Sequence, residues 1–196
     1  LFVCKLNHAK GYHIFSEAAL KFKKFDPSWN FIAIGNEARK EIFPDKSIVS
    51  EIGYKKNSEV LNYYSKSEIA VGNSVWDEPL GRIAIEASSR KCLPIISNKG
   101  GLAESKNIAL VLKENSSSEL VNILKKITKN KYLRRQKQKL FHKNNNFNIK
   151  IISKMLDDAR SEILNNQNNI YLSDKKRILH IANFNENSDG RLYYSF

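Results

Sequence analysis

Two carboxylates, Glu78 and Glu86, stand eight positions apart in the run WDEPLGRIAIEASSRKCLPIISNKGGLAES, and a third, Glu104, follows a Gly-Gly pair further along it. An ionised carboxylate only accepts hydrogen bonds, so Glu86, within a helix, suits the paired hydroxyls of a ribose. Glu78 faces the loop where a second sugar ring would sit. Between them Pro79 fixes a helix-compatible φ, and Gly81 keeps no side chain between a ligand and the amides of the first helical turn near Leu80 and Gly81. Free amides at a helix start attract phosphate. Near the beginning of the chain Lys5 leaves an apolar strand, and Lys10 precedes Gly11 at the opening of a helix. Two cations there would meet a pyrophosphate leaving group as it gathers charge. Singly each of these residues is ordinary; the ordered set of EP-x-G, E-x7-E and Gly-Gly points to a nucleoside diphosphate sugar.

Bringing these residues together requires a scaffold whose loops meet at one end. Up to Leu164 short apolar strands alternate with amphipathic helices, which predicts an α/β fold: a Rossmann-like parallel sheet with helices on both faces. The strands are LFVC, residues 30–35, residues 68–74, LPIIS and IALVL, and IVSEIGY leads into a helix near residues 58–65. A first helix over about residues 10–25 keeps Ile14, Phe15, Ala18, Ala19, Phe22 and Phe25 on one side. Ser116 with Glu119 forms a capping box for a helix through Ile127, and further helices are predicted over residues 132–141 and 149–164. Ligands of such sheets bind beyond the carboxyl ends of the strands, where the Glu78 loop and the Gly100 turn should both lie.

Residues 1–164 read as one nucleotide-sugar-binding domain, residues 165–176 as a polar linker, and residues 177–196 as the truncated first strand and loop of a following module. The chain opens in an apolar strand with no cap before it, so a fragment of a longer protein is expected.

The net charge of +13 fits nucleic acid, an anionic membrane face or phosphorylated ligands. Aromatic residues are not interleaved with the basic run in a stacking arrangement, which places a nucleic-acid-binding module last and predicts no nucleic-acid partner. Lys125, Lys126, Lys129, Lys131, Arg134, Arg135, Lys137 and Lys139 could rest on anionic headgroups or form a solvated helix face. No apolar run approaches the roughly 18 residues of a membrane span, so any membrane contact is expected to be peripheral. Cys4 and Cys92 sit in apolar, strand-like surroundings, as buried free thiols of a cytoplasmic protein do. His8 and His13 have no companion at metal-ligand spacing and read as structural or rim residues; no metal site is expected.

VCKLNHAKG, EIGYKKNSEVLNYYSKSEIAV, EPLGRIAIEA and SNKGGLAES together resemble the C-terminal, donor-binding half of a GT-B glycosyltransferase of family 4, the glycosyl transferases group 1. The resemblance covers residues 1–164. It implies transfer of a sugar, with retention at the anomeric carbon and without metal or cofactor, from a nucleoside diphosphate sugar to a glycan or lipid-linked acceptor of polysaccharide or lipopolysaccharide biosynthesis. By that likeness Lys5 and Lys10 meet the diphosphate, Glu78 is the catalytic-site carboxylate on the donor sugar, Leu80 and Gly81 bring amides to sugar and phosphate, and Glu86 holds the ribose. The family's N-terminal Rossmann-like half, which takes the acceptor, has no counterpart before Leu1, so this chain alone is expected to be inactive. A GT-B-like epimerase or phosphorylase is the alternative enzymatic reading. Residues 177–196 are similar to the opening of a second such N-terminal half, as in a tandem enzyme.

Four positions depart from the family pattern. Cys4 replaces a glycine, Leu80 a Phe, Ala103 a Pro and Lys91 a glycine. A left-handed conformation at Lys91 would cost about 1 kcal/mol.

Overall fold

The computed structural model describes residues 1–36, 48–145 and 149–166. Runs such as FIAI, IAVG and LPII carry β-branched residues with almost no polar position, as strands covered on both faces require. Six strands form, β1 (Phe2–Val3), β2 (Phe31–Ile34), β3 (Val49–Glu51), β4 (Ile69–Gly72), β5 (Leu93–Ile96) and β6 (Leu110–Val111), in one sheet of order β3-β2-β1-β4-β5-β6. Every pairing is parallel. The chain builds outward from β1 to β3, then returns to start β4 on the other side of β1, and Phe2 pairs with both Ala33 and Val71 at that reversal. The fold is therefore the expected Rossmann-like sheet. Its ligand crevice belongs where loops leave β1 and β4 in opposite directions.

The helices are α1 (Tyr12–Lys23), α2 (Asn57–Lys66), α3 (Arg82–Ser89), α4 (Ser117–Lys129), α5 (Lys131–Asn144) and α6 (Ile149–Asn166), with a 3-10 segment over Gly100–Asn107. Alternate residues of the central strands divide between two cores. Phe31, Ala33, Ile69 and Val71 join Phe2, Phe15 and Phe22, where α1 and α4 pack, while Ile32, Ile34 and Ala70 join Val60, Tyr64 and Ala87 from α2 and α3. Rings 5.2–6.0 Å apart link Phe2 to Phe15, Phe15 to Phe31 and Phe31 to Phe22. Burying each such ring stabilises the fold by ~2–3 kcal/mol, more than any single polar contact around it.

Helix ends follow local chemistry. α1 starts two residues later than the periodicity predicts, because Gly11 takes a left-handed conformation, φ 74°, and leaves Lys10 in the loop. Only the Ser116 half of the expected box forms at α4. Its hydroxyl accepts the Glu119 amide at 3.2 Å, while the Glu119 carboxylate accepts the amides of Lys113 and Glu114 instead of reaching back to Ser116. At the end of α3, Lys91 adopts φ 59°, the one positive φ outside glycine among the described residues. Cys92 N–H donates to the Ala87 carbonyl and Lys91 N–H to the Ser88 carbonyl, the paired bonds of a Schellman end that glycine ordinarily closes.

Residues 1–148 form one compact unit, and α6 belongs to a second unit that begins at Ile149. The sequence pattern had placed residues 149–164 with the main domain. α6 runs on to Asn166, into the first residues of the expected linker. The remainder of that linker and the strand and loop expected over residues 177–196 lie outside the described residues.

Candidate functional site

At the carboxyl ends of β1 and β4, two loops are sewn together by main chain. The Ala9 carbonyl accepts hydrogen bonds from Val75 N–H at 2.9 Å, Trp76 N–H at 3.3 Å and the Ser74 hydroxyl at 3.1 Å. Gly11 lies so close to Asn73 that a Cβ would stand 2.0 Å from the Asn73 carbonyl oxygen, and the Asn73 amide donates back to the Gly11 carbonyl at 2.9 Å. Asn115 donates from below to the carbonyls of Asn73 and Ser74, and Ser97 to that of Ser74. These amide and hydroxyl donors tie the two loops together, while the Asn73 and Asn115 side-chain oxygens stay buried without a partner.

Above this seam opens a cleft of about 600 Å³ whose walls include Lys5, Lys10, Glu78 and Glu86. The four side chains singled out by chemistry thus share one cavity at the switch point of the sheet. Lys10 Nζ lies 3.1 Å from Glu78 Oε1 and 4.9 Å from the centre of the Trp76 ring, with both charged side chains more than four-fifths buried. Glu86 faces the cleft from α3. Its nearest cation is the Arg82 guanidinium, 4.0 Å away and 74% exposed, a weak partner in water. Burial therefore dominates, and holds the Glu86 carboxyl above its ordinary pKa despite Arg82. Cys4, in the same wall, is pushed up by burial, with Lys10 opposing. Burial carries the Cys92 thiol, in the core behind α3, up to about 12.

Two expected site residues do not line this cleft. Leu80 borders a separate small cleft with Gly101 and Glu104, so neither Leu80 nor the third carboxylate joins the main one. Gly81 caps α3 with φ 53°, and a Cβ there would meet the Leu102 side chain at 2.4 Å. Backbone conformation and packing both demand that glycine. The first turn of α3 still borders the cleft, through Arg82 and Ile83.

The Gly-Gly pair also has another task. Cβ atoms on Gly100 and Gly101 would fall 2.5 Å from the Glu78 carbonyl oxygen and 2.4 Å from that of Pro79. Gly101 N–H donates to the Glu78 carbonyl at 2.6 Å and Gly100 N–H to Asp77 Oδ1 at 3.0 Å. The turn is a seat for the Glu78 loop, with its amides already used. Asp77, Asn73, Ser74 and Asn115 hold the site's shape, and the sequence reading did not pick them out. Tyr64, also in the cleft wall, reads in sequence as an ordinary core aromatic.

His8 and His13 stack ring on ring at 3.8 Å beside the Lys10 loop. Arg134 leaves the set of surface cations: it is 5% exposed, its Nε 3.1 Å from Glu68 Oε2, its guanidinium over Trp29. Lys125 and Lys129 lie over the Phe25 ring.

Residues 1–145 match the family described as Glycosyl transferases group 1. The chain belongs to that family. Spore coat protein SA of Bacillus subtilis is 30% identical over 117 residues, which is 53% of this chain and 31% of that protein. HepE of Anabaena, crystallised with UDP-glucose, superposes with a TM-score of 0.70 at 17% identity, over 82% of this chain and 48% of HepE. The C-terminal domain of the group 1 glycosyltransferase LpcC of Francisella tularensis gives 0.66 at 21% identity, over 76% of this chain and 85% of that domain. The chain thus spans about half the length of HepE and about a third of the spore coat protein. The solved relatives fix the fold as that of a GT-B C-terminal domain.

Proposed function

We propose that this group 1 domain binds the donor for a retaining, metal-independent glycosyltransferase that moves a sugar from a nucleoside diphosphate sugar to a glycan or glycolipid acceptor. The observation that carries the reading is the single cleft between the ends of β1 and β4 shared by Lys5, Lys10, Glu78 and Glu86. In this reading Lys5, Lys10 and the first turn of α3 take the diphosphate, Glu86 the ribose diol and Glu78 the transferred sugar. As the glycosidic bond to phosphate breaks, negative charge collects on the leaving diphosphate. The lysines stabilise that charge, and losing such a group costs about 3 kcal/mol of barrier lowering. HepE in complex with UDP-glucose supports a uridine or related nucleotide donor.

The acceptor and the second wall of the cleft belong to an N-terminal half of the same architecture, and no cofactor is needed. We assign the enzyme to the cytoplasm. Lys131, Arg135 and Lys139 on the exposed side of α5, beside the 77% exposed Tyr132, support peripheral contact with the anionic inner membrane face. Nucleic acid is not part of this reading. The test is a thermal-shift panel of UDP, GDP, ADP and their sugars. One nucleotide family should raise the melting temperature, and Glu86→Ala and Lys10→Ala should each remove the rise; no shift from any nucleotide overturns the proposal.

A further inference from the structure

Tyr64 sits on α2 with no exposed surface, packed with Val60, Ala70, Ala87 and Cys92, yet it contributes to the wall of the cleft beside Glu86. Its hydroxyl is buried and has no hydrogen-bond partner of ordinary geometry. A phenol left unpaired in a core costs ~1–3 kcal/mol, and a phenylalanine would fill the same space without that cost. The hydroxyl and the Glu86 carboxylate nonetheless belong to two helices, α2 and α3, that pack together at the wall of one cleft. Burial, and after it the negative charge of Glu86, pushes the Tyr64 phenol well above its ordinary pKa. Glu86, in turn, has only the exposed Arg82 guanidinium, at 4.0 Å, as an ion partner. The other ionisable groups around the cleft come from separate elements: Cys4, Lys5 and Lys10 from the β1 loop, Tyr54 and Lys55 ahead of α2, and Glu78 ahead of α3. None of these stands on α2, where Tyr64 does.

We propose that Tyr64 is a positioning residue for Glu86: its buried hydroxyl donates to the inner carboxylate oxygen and aims the outer one into the cleft. This rests on the reading of Glu86 as the ribose ligand. A carboxylate that accepts two ribose hydroxyls must be ionised and held in one rotamer. An N–H or cationic donor in that position would compete with the lysines for the diphosphate or neutralise Glu86 outright. A phenol donates one hydrogen bond and adds no charge. Tyr64 therefore supplies what the ribose subsite needs from behind, and explains why a polar atom is tolerated in an otherwise apolar cluster.

The experiment compares wild type, Tyr64→Phe, Glu86→Gln and the double variant. Carbon-13 NMR of the Glu86 side-chain carboxyl, followed through an acid titration without nucleotide, reads the contact directly. Tyr64→Phe should move the Glu86 midpoint upward by about one pH unit, the equivalent of one hydrogen bond to a charged group. Calorimetric titration with the nucleoside diphosphate that binds wild type should show affinity about tenfold weaker in Tyr64→Phe. The acid limb of its binding profile should move to higher pH in the same variant. In the Glu86→Gln background, Tyr64→Phe should add nothing. An unmoved Glu86 midpoint in Tyr64→Phe overturns the proposal even where wild type binds nucleotide well. Failure of wild type to bind any nucleotide, with the midpoint shifted, sinks the ribose reading and leaves the Tyr64–Glu86 contact established.

Discussion

The Lys10 ammonium and the Glu78 carboxylate form a 3.1 Å ion pair across the cleft, one contributed by the loop after β1 and the other by the loop after β4. Each was assigned its own part of a donor, yet they hold one another. A diphosphate drawing on Lys10 must compete with Glu78, and a sugar drawing on Glu78 must compete with Lys10.

Glu78→Gln should therefore separate the two halves of the donor. Removing the negative charge frees Lys10, so a nucleoside diphosphate without its sugar should bind about fivefold more tightly, a gain of ~1 kcal/mol. The corresponding nucleotide sugar should lose that advantage with its glutamate contact. Calorimetric titration of both ligands against wild type and variant checks this. Equal changes for the two ligands would show that Glu78 does not read the sugar.

Gly101→Ala should spare the sheet and damage the site. The added Cβ meets main-chain atoms of Pro79 and Leu80 at 2.4–2.8 Å, so the Glu78 loop must move. A destabilisation of about 2 kcal/mol in urea denaturation is expected, together with loss of the nucleotide-induced thermal shift. Gly53→Ala is the control: it also has positive φ, 72°, but nothing lies within 4 Å of its Cβ position. It should cost about 1 kcal/mol of backbone strain and leave nucleotide binding unchanged.

Lys91→Gly should stabilise the domain. The left-handed residue at the end of α3 bears a side chain exposed to solvent, so nothing but backbone strain changes. A gain of about 0.5 kcal/mol, or about 1–2 °C in melting temperature, is left once the greater freedom of glycine in the unfolded chain is subtracted.

Glu86 should trade stability for function. Its carboxyl is held above its ordinary pKa by burial, so the folded protein binds that proton more tightly than the unfolded chain does. Between the ordinary value and the raised one, stability falls as pH rises, and the penalty is complete above the folded pKa. Glu86→Gln should therefore be more stable than wild type at neutral pH, with the difference closing as pH drops below the ordinary glutamate range. Urea denaturation across pH 3–8 measures it. Nucleotide binding should run the opposite way, failing in acid for wild type as Glu86 protonates.

The meeting of Lys5, Lys10, Glu78 and Glu86 was legible before any coordinates, because parallel strands alternating with helices deliver every strand-end loop to one side of the sheet. The partner of each residue was not. Gly100 and Gly101 read as a turn at the ligand end of the sheet, but a glycine pair does not name what it packs against, and here that is the Glu78 loop. Arg134 lay in a run of cations on a helix and read as solvated. Its partner Glu68 is 66 residues away in sequence, beyond the reach of any local pattern. Lys91 stood out only because the resembled family carries glycine there, and the left-handed φ of 59° shows that the helix ending keeps its geometry whatever the side chain. Tyr64 was hidden because aromatic residues at helical spacing are most often packing, and only the position of its hydroxyl distinguishes it.

The Ala9 carbonyl, with its three donors, makes the junction between two distant stretches of chain almost entirely out of peptide groups. Such a knot survives rewriting of the other side chains around it so long as Gly11, Asn73, Ser74 and Asn115 are kept. Descendants of this scaffold can therefore trade the residues that meet a substrate while inheriting an unaltered crevice, and a redesign of specificity has the same freedom.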